Sequence, residues 1–439
     1  MEILYDNDGT PLMFRGRGVV GFTKNTEPAA EKPRETFTIG GREYVSWGPG
    51  NRYPDEAVRT IGSTGVLSTG IGFRARTSFG QGVVPMDIKG YDDDGNPILV
   101  GCQEPEVQRY FRSPQFINYA STAFRDIFKF GNCFPVFYFN EDGSKIVNTI
   151  VLNARHCRVS KDKKYLLFFA NFDECLPTEK ECTVFPMLDE YDPFTDLARL
   201  RVIGKLKGQP IAFPRIKNYY SNNDYYGIPD WDAAWKSGWI DIANKIPKFL
   251  SKSYANAMSL MWHIQVPKSF WNEKFPKGDA KSKQDRKARI QEWMKKMNDD
   301  LCGDENVSKA FISTYETGMN GKCEGWKFER LENEIDAKER LSTSAAANSE
   351  ILFSLMINPS VLGAGMPGGA YAGNAGSGSD IRESWLVSVI TTYIEKQQVL
   401  FPIRLMLQYN GHSEDIILKY RETILTTLNT GQAKEEINT

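Results

Sequence analysis

The stretch Asn358-Pro-Ser-Val-Leu-Gly-Ala-Gly-Met-Pro-Gly-Gly-Ala-Tyr-Ala-Gly-Asn-Ala-Gly-Ser-Gly-Ser379 holds seven glycines and no charged side chain. A loop of this length inside a compact domain is uncommon and is usually functional or disordered. On its N-terminal side, Asp336 with Glu339 three residues on reads as a capping box that opens a polar helix reaching Ile357. On its C-terminal side, Asp380 and Glu383 repeat the device and open a long apolar helix. That helix is expected to kink at Pro402 and to continue weakly to Tyr409. Both ends of the loop are therefore expected to be fixed. An uncharged, glycine-rich element held at both ends suits presentation to something that moves past it.

Working upstream, Asp230 to Ala257 carries a helical pattern bent by Gly238 and Pro247. Trp231, Trp235 and Trp239 are spaced i, i+4, i+8, which places them on one face for core packing or a subunit contact. Met258 to Val266 reads as a strand. Asp279 to Leu301 reads as a helix with Ile290, Trp293, Met294, Met297 and Leu301 on one face. Lys309 to Tyr315 and Trp326 to Leu331 read as a strand pair across Gly318-Met-Asn-Gly321. The middle of the chain is thus a helix, a small β-α-β-β insertion and a second helix.

Residues 1 to 45 mix Gly, Pro and charge and read as an arm or edge hairpin. Residues 54 to 80 have helical apolar spacing interrupted by glycines. Asp92 to Pro97 is a turn between extended runs. Residues 105 to 131 read as one helix closed by Gly131 at C′. Phe134 to Phe139, a turn at Asn140-Glu-Asp-Gly143, and short strands to Ala170 follow. Residues 176 to 215 read as further β or irregular structure. Strands and helices are segregated, so the class is α+β, and no internal repeat is visible.

At 439 residues the chain can bury a large core and is expected to form two or more subdomains. No apolar run approaches the roughly 18 residues needed to span a bilayer, so no membrane partner is expected. Met1-Glu-Ile-Leu-Tyr-Asp lacks the basic and apolar regions of a secretory signal. Seven scattered cysteines with no Cys-x-x-Cys pair read as reduced structural thiols. Net charge is −1 from 54 basic and 55 acidic residues, which argues against a dedicated phosphate-gripping surface. It does not argue against a channel through which DNA slides.

No catalytic chemistry emerges. Of three histidines, none lies in a metal-ligand spacing. His156 and Cys157 are neighbours on an expected strand and point to opposite faces. Gly16-Arg-Gly-Val-Val-Gly21 matches a dinucleotide fingerprint but lacks the strand before it and the helix after it. No phosphate-binding P-loop and no Gly-x-Ser-x-Gly elbow are present. The expectation is no enzyme, no metal and no cofactor. A convergent carboxylate pair cannot be read from sequence.

From Lys274 to Lys296 there are nine Lys or Arg against three acids. This is either a solvated face or a docking face for an acidic partner or a brief phosphate contact. Lys281, Lys283, Arg286, Lys287 and Arg289 are its candidate residues. Glu329 to Ile357 carries six acids and three bases. Helices of that charge lining a pore would keep DNA from adhering.

Taken in order, these segments resemble the portal proteins of tailed bacteriophages in their shorter form, from about Tyr53 to Asn410. The resemblance rests on the glycine-marked segment Ile61 to Gly82 and on Phe128-Lys-Phe-Gly-Asn-Cys-Phe-Pro-Val-Phe-Tyr-Phe. It rests also on Glu141-Asp-Gly, Asn153-Ala-Arg-His-Cys-Arg-Val, Tyr226-Gly-Ile-Pro229, the Lys309 to Leu331 strands, Asn358-Pro-Ser-Val-Leu-Gly363, and Asp380 to Tyr409 with Pro402. The loop is longer than expected of that family, and Asn358-Pro359 stands where valine-proline is more usual.

The resemblance implies an N-terminal arm at 1–45, a wing at 46–229, and a first stem helix at 230–257. A clip at 258–333, a second stem helix at 334–357 and a tunnel loop at 358–379 follow. A long kinked wing helix at 380–410 and a short crown or tail at 411–439 complete it. It further implies a homo-oligomeric ring, a dodecamer, at one capsid vertex. The partners would be the major capsid protein, terminase, a head–tail adaptor, and double-stranded DNA passing non-specifically. By position, Met366, Pro367, Tyr371 and Asn374 would face DNA from the loop, and Glu334, Lys338 and Glu339 would line the stem. The basic helix would lie on the motor-facing end, in a virion protein assembled in the bacterial cytoplasm. A homo-oligomeric ring that handles no DNA, or less readily a carbohydrate-active hydrolase, are the competing readings.

Overall fold

A computed structural model describes residues 35–172, 175–204, 206, 208–219, 221, 224–257, 262–276, 278, 283–302, 310–315, 326–330, 337–362 and 378–422. It also gives the backbone of two short paired strands at Ile3–Tyr5 and Pro11–Phe14. The chain is α+β and divides into two compact units. The first is Met1–Asp232 with Arg382–Thr439, and the second is Ala233–Ile381. The second unit is therefore an insertion within the first.

The first unit is built on the helix Pro114–Phe130 and the hairpin that follows it. Ser113 caps the helix by accepting from the Phe116 N–H, and Pro114 fills the first helical position, where no N–H is needed. Phe116, Tyr119, Ala120, Ala123, Phe124, Ile127 and Phe130 recur at helical spacing and are all buried. Gly131 ends the helix at φ 67°, and its N–H returns to the Ile127 carbonyl at 2.8 Å. The expected single helix over 105–131 is in fact two, Pro105–Phe111 and Pro114–Phe130. The prolines that begin each helix account for the break.

Strand Asn132–Phe139 then pairs antiparallel with Ile146–Leu152 across the expected turn. Asn140 Oδ1 accepts from Lys145 N, Asp142 Oδ1 accepts from Ser144 N, and Gly143 takes φ 74°. The short strands Ile211–Ala212 and Ile216–Lys217 pair along the other edge of Asn132–Phe139. That strand is interior to its sheet, the helix Pro114–Phe130 packs against it, and its near-continuous apolar run is almost wholly buried. A second sheet orders Thr183–Pro186, Tyr165–Phe168 and Cys157–Val159. The hairpin Thr36–Ile39/Arg42–Val45 packs on it, joining Ile39 and Tyr44 to Leu167, Phe169 and Phe172. A third sheet orders Ile416–Tyr420, Val83–Tyr91 and Pro97–Gly101.

Three local expectations for this unit are corrected. Residues Pro193–Val202, read as β or irregular, form a helix capped by Asp192, whose carboxylate accepts from Thr195 N at 3.0 Å. The expected kink at Pro402 is not where the C-terminal helix breaks. It divides into Gly378–Ile390 and Tyr393–Tyr409, and Pro402 lies buried inside the second. The run Ile390-Thr391-Thr392 is β-branched, and the Thr392 hydroxyl turns back to the Val389 carbonyl at 2.9 Å, competing with the helix. The helix expected to open at Asp380 begins at Gly378.

The second unit holds the helices Trp239–Ala257 and Ala337–Ser354, which pack on each other. Between them in sequence lie Trp262–Pro267, Lys268–Lys274, Lys283–Cys302, Ala310–Tyr315 and Lys327–Arg330. The expected pairing of the last two strands is overturned. Trp262–Pro267 is central, parallel to Ala310–Tyr315 and antiparallel to Lys327–Arg330. The insertion is thus β-α-α-β-β, with a short helix that the sequence reading missed. Ile290, Trp293 and Met294 pack with Phe270, Phe275 and Trp326 around Val266 and Trp271, as their shared face requires. The tryptophan stripe of 231, 235 and 239 is broken by Gly238 at φ 87°, so the three do not share one helix face. Trp231 is wholly buried in the first unit and donates from Nε1 to the Lys129 carbonyl.

Candidate functional site

Two motifs that the sequence separates by about a hundred residues meet in the first unit. Asn132 Nδ2 donates to the Gly227 carbonyl at 2.9 Å and to that of Phe130 at 2.8 Å. Gly227 N donates back to Asn132 Oδ1 at 2.7 Å, and Asn218 N donates to the Gly131 carbonyl at 2.9 Å. The Phe-Gly-Asn at 130–132 and the Tyr-Gly-Ile-Pro at 226–229 form one buried amide lock. Here both glycines serve close backbone approach. The lock fixes the chain just before it leaves for the second unit.

Beside it, Arg74 is almost fully buried, with Nη2 3.8 Å from Asp230 and 3.9 Å from Glu395. Its guanidinium lies 4.9 Å from the Phe128 ring centroid. Burial raises the Glu395 carboxyl above the usual range, opposed by Arg74. Lys396, equally buried, pairs with Glu422 at 2.5 Å. These groups come from segments that flank the insertion on both sides, so they tie its two points of departure to one core. No periodicity in the sequence announces such pairs.

In the second unit, the basic face divides by role. Arg286 donates from Nε to the Phe275 carbonyl at 2.7 Å, and from Nη2 to the Trp271 carbonyl at 3.2 Å and Asn272 Oδ1 at 2.9 Å. It therefore closes the C-terminal end of the helix Lys268–Lys274, where a cation also complements the helix dipole. Arg289 is paired with Asp285 one turn earlier at 3.3 Å. Lys274 lies over the Trp293 ring at 4.5 Å from its centroid. Lys283 and Lys287 are exposed on the same helix. Lys281 lies outside the described residues, as do Glu334 of the stem set and Met366, Pro367, Tyr371 and Asn374 of the loop set. Lys338 and Glu339 stand in the first turn of Ala337–Ser354.

Among the described residues, no cluster of three His, Cys, Asp or Glu side chains is placed to hold a metal ion. His156 and Cys157 do not form a nucleophilic pair. Burial pushes the Cys157 thiol well above its ordinary value and lowers the His156 imidazole, while Cys157 Sγ contacts the Asn153 carbonyl. No helix among the described residues is long and apolar enough to cross a membrane.

No family model matches this sequence, and no curated protein matches it. Solved structures do share its fold. A chain in the virion of a native gene transfer agent particle superposes with a TM-score of 0.51 at 16% identity, over 87% of this chain and 86% of that one. A chain in the neck of the native particle, computed with C12 symmetry, gives 0.50 at 15% identity over 85% and 84%. One in the neck of the empty particle, computed with C6 symmetry, gives 0.51 at 14% over 88% and 86%. The α+β fold of this chain, insertion included, is thus similar to that of a component of a symmetric phage-like particle.

Proposed function

We propose that the chain is the subunit of a portal-type ring, a structural conduit at one vertex of a phage-like capsid rather than an enzyme. The observation that carries this reading is the likeness of fold, over nearly the whole length, to chains of gene transfer agent particles, one of them from a neck computed with C12 symmetry. The order of elements supports it. An insertion bracketed by two mutually packed helices leaves and re-enters one core, which is the order expected of stem, clip and stem. In this reading Trp239–Ala257 and Ala337–Ser354 are the stem, with Lys338 and Glu339 towards the channel. The insertion carrying Lys283 and Lys287 docks terminase during filling and an adaptor afterwards. The glycine-rich loop with Met366, Pro367, Tyr371 and Asn374 touches passing duplex DNA without gripping it.

A closed ring needs heterologous interfaces whose rotation closes. The test is the mass of the purified full chain by native mass spectrometry, with negative-stain images. Rings of about twelve copies with a central hole support the reading. A stable two-fold dimer with no ring form, in the presence or absence of capsid protein, overturns it.

A further inference from the structure

Arg215 is a buried cation whose hydrogen-bonding needs the fold leaves unmet. Its side chain has no exposed surface, and among the described residues Nε, Nη1 and Nη2 meet no acceptor. Its nearest charge is Glu190, with Oε2 3.6 Å from Nη1. The same carboxylate lies 3.6 Å from Lys163 Nζ and 3.9 Å from Lys217 Nζ. Those distances are ion pairs without direct hydrogen bonds.

The contrast with Arg158 in the same unit is instructive. That guanidinium is as deeply buried, yet it donates to Asn51 Oδ1 and to the carbonyls of Asn51, Arg155 and Cys157. Arg158 is a structural cation with its donors satisfied. Among the described residues Arg215 has the burial without the acceptors, and buried donors in folded proteins are as a rule satisfied by protein, ordered water or a bound ion.

Three elements hold the cluster. Lys163 sits at φ 56° in the turn after Cys157–Val159, with Ser160 Oγ accepting from Lys164 N and Tyr165 N. Lys217 lies on the short strand Ile216–Lys217 that pairs with Asn132–Phe139, and Arg215 immediately precedes that strand. Glu190 comes from the loop before Pro193–Val202. Lys163, Glu190 and Lys217 are each about a quarter exposed, at 25%, 26% and 27%, whereas the Arg215 side chain is not exposed at all. Asp224 adds a second carboxylate to the field felt by Arg215 and Lys217.

We propose that Arg215, Lys163 and Lys217 form a binding site for a small phosphate-class oxyanion, with Glu190 as the group the anion displaces. A planar guanidinium with two flanking ammonium groups suits a tetrahedral oxyanion, which can accept several charge-assisted hydrogen bonds at once. A carboxylate held at 3.6–3.9 Å from the three cations makes none of them, so the exchange is favourable. The absence of exposed Arg215 surface limits the ligand to a free ion and disfavours the backbone of a duplex. The proposal does not depend on the ring reading.

The test uses the full chain with inorganic phosphate and, in parallel, sodium chloride at matched ionic strength. Phosphate raises the melting temperature of the native chain above the chloride control. Glu190→Gln lowers stability in chloride, regains it in phosphate, and binds phosphate about tenfold tighter by calorimetry. Lys163→Met and Lys217→Met each weaken phosphate binding about tenfold, and avoid the folding risk of altering Arg215 itself. Equal responses to phosphate and chloride overturn the site. So does phosphate binding that the two lysine variants leave unchanged, which marks an adventitious ion only. A short DNA duplex that stabilises the chain where phosphate does not would also overturn it.

Discussion

The hydroxyl of Tyr119 donates to the main-chain carbonyl of Val399 at 2.9 Å, across 280 residues of sequence. Tyr119 stands mid-way along Pro114–Phe130, and Val399 lies on the helix Tyr393–Tyr409 that follows the inserted unit. The phenol is fully buried, and burial pushes its pKa far up, so it stays a donor at every physiological pH. This bond joins the two halves of a core that the insertion divides.

Tyr119→Phe keeps the ring and removes the donor. It is expected to cost about 1 kcal/mol of unfolding free energy, because the Val399 carbonyl loses a buried partner. Urea denaturation of the full chain checks it. Far-ultraviolet circular dichroism should be unchanged.

Gly227→Ala should be among the most damaging single substitutions in the first unit. The added Cβ would press into the Gly131 carbonyl oxygen and stand 2.8 Å from Asn218 N, both main chain. Gly131→Ala meets the Ile228 carbonyl carbon at 2.7 Å and also requires φ 67°. Each is expected to lose about 3 kcal/mol, from overpacking and backbone strain. Soluble yield and thermal melting measure this, and Gly143→Ala, which shares the positive φ of 74° but meets nothing nearer than Leu206 Cβ at 3.1 Å, is the milder comparison.

Arg286 and its basic neighbours should separate cleanly. Arg286→Ala removes three donations that close Lys268–Lys274 and is expected to cost about 2 kcal/mol, with a change in tryptophan fluorescence from the nearby aromatic cluster. Lys283→Ala and Lys287→Ala, on exposed positions, should change stability by less than about 0.5 kcal/mol. If the insertion docks an acidic partner, the two lysine variants weaken that binding in a salt-dependent way. Unchanged terminase and adaptor binding would exclude these lysines from the docking face.

His156 gives the chain an acid sensitivity of known sign. Burial, then Arg155, lowers its folded pKa below the ordinary value of 6.5, with Asp55 opposing. The unfolded imidazole therefore takes up a proton first as pH falls, and stability is lost from about pH 6.5 downward through the lower folded value. Denaturation midpoints at pH 7.5 and pH 5.5 should differ more for the native chain than for His156→Gln. Equal differences would remove His156 from the account.

Deleting Gly365 to Gly376 tests the loop reading directly. If the loop contacts passing DNA, the shortened chain should still assemble rings while packaged DNA is retained less well. Unchanged packaging and retention would show that Met366, Pro367 and Tyr371 do not act on DNA.

Much of the local structure is legible in the sequence. Gly131 announced a helix end, Asn140 to Gly143 announced a hairpin, and the Ile290, Trp293, Met294 face announced a buried stripe. The helix Pro193–Val202 was missed although Asp192-Pro193 is a helix start, because its buried face holds little beyond Leu197. The break at Thr391–Thr392 has no proline or glycine to mark it in the sequence, whereas Pro402, the expected kink, lies buried inside the helix Tyr393–Tyr409.

Sequence alone determined the α+β class and the insertion between two helices, because hydrophobic period and capping chemistry act over a few residues. Tertiary structure decided which strands pair, placing Trp262–Pro267 between two strands that looked like partners. It also assigned the cations their work, turning Arg286 into a helix closure and leaving Arg215 buried with no acceptor among the described residues. Strand pairing and charge environment depend on groups that are distant along the chain, and no local pattern encodes the distance between them in space.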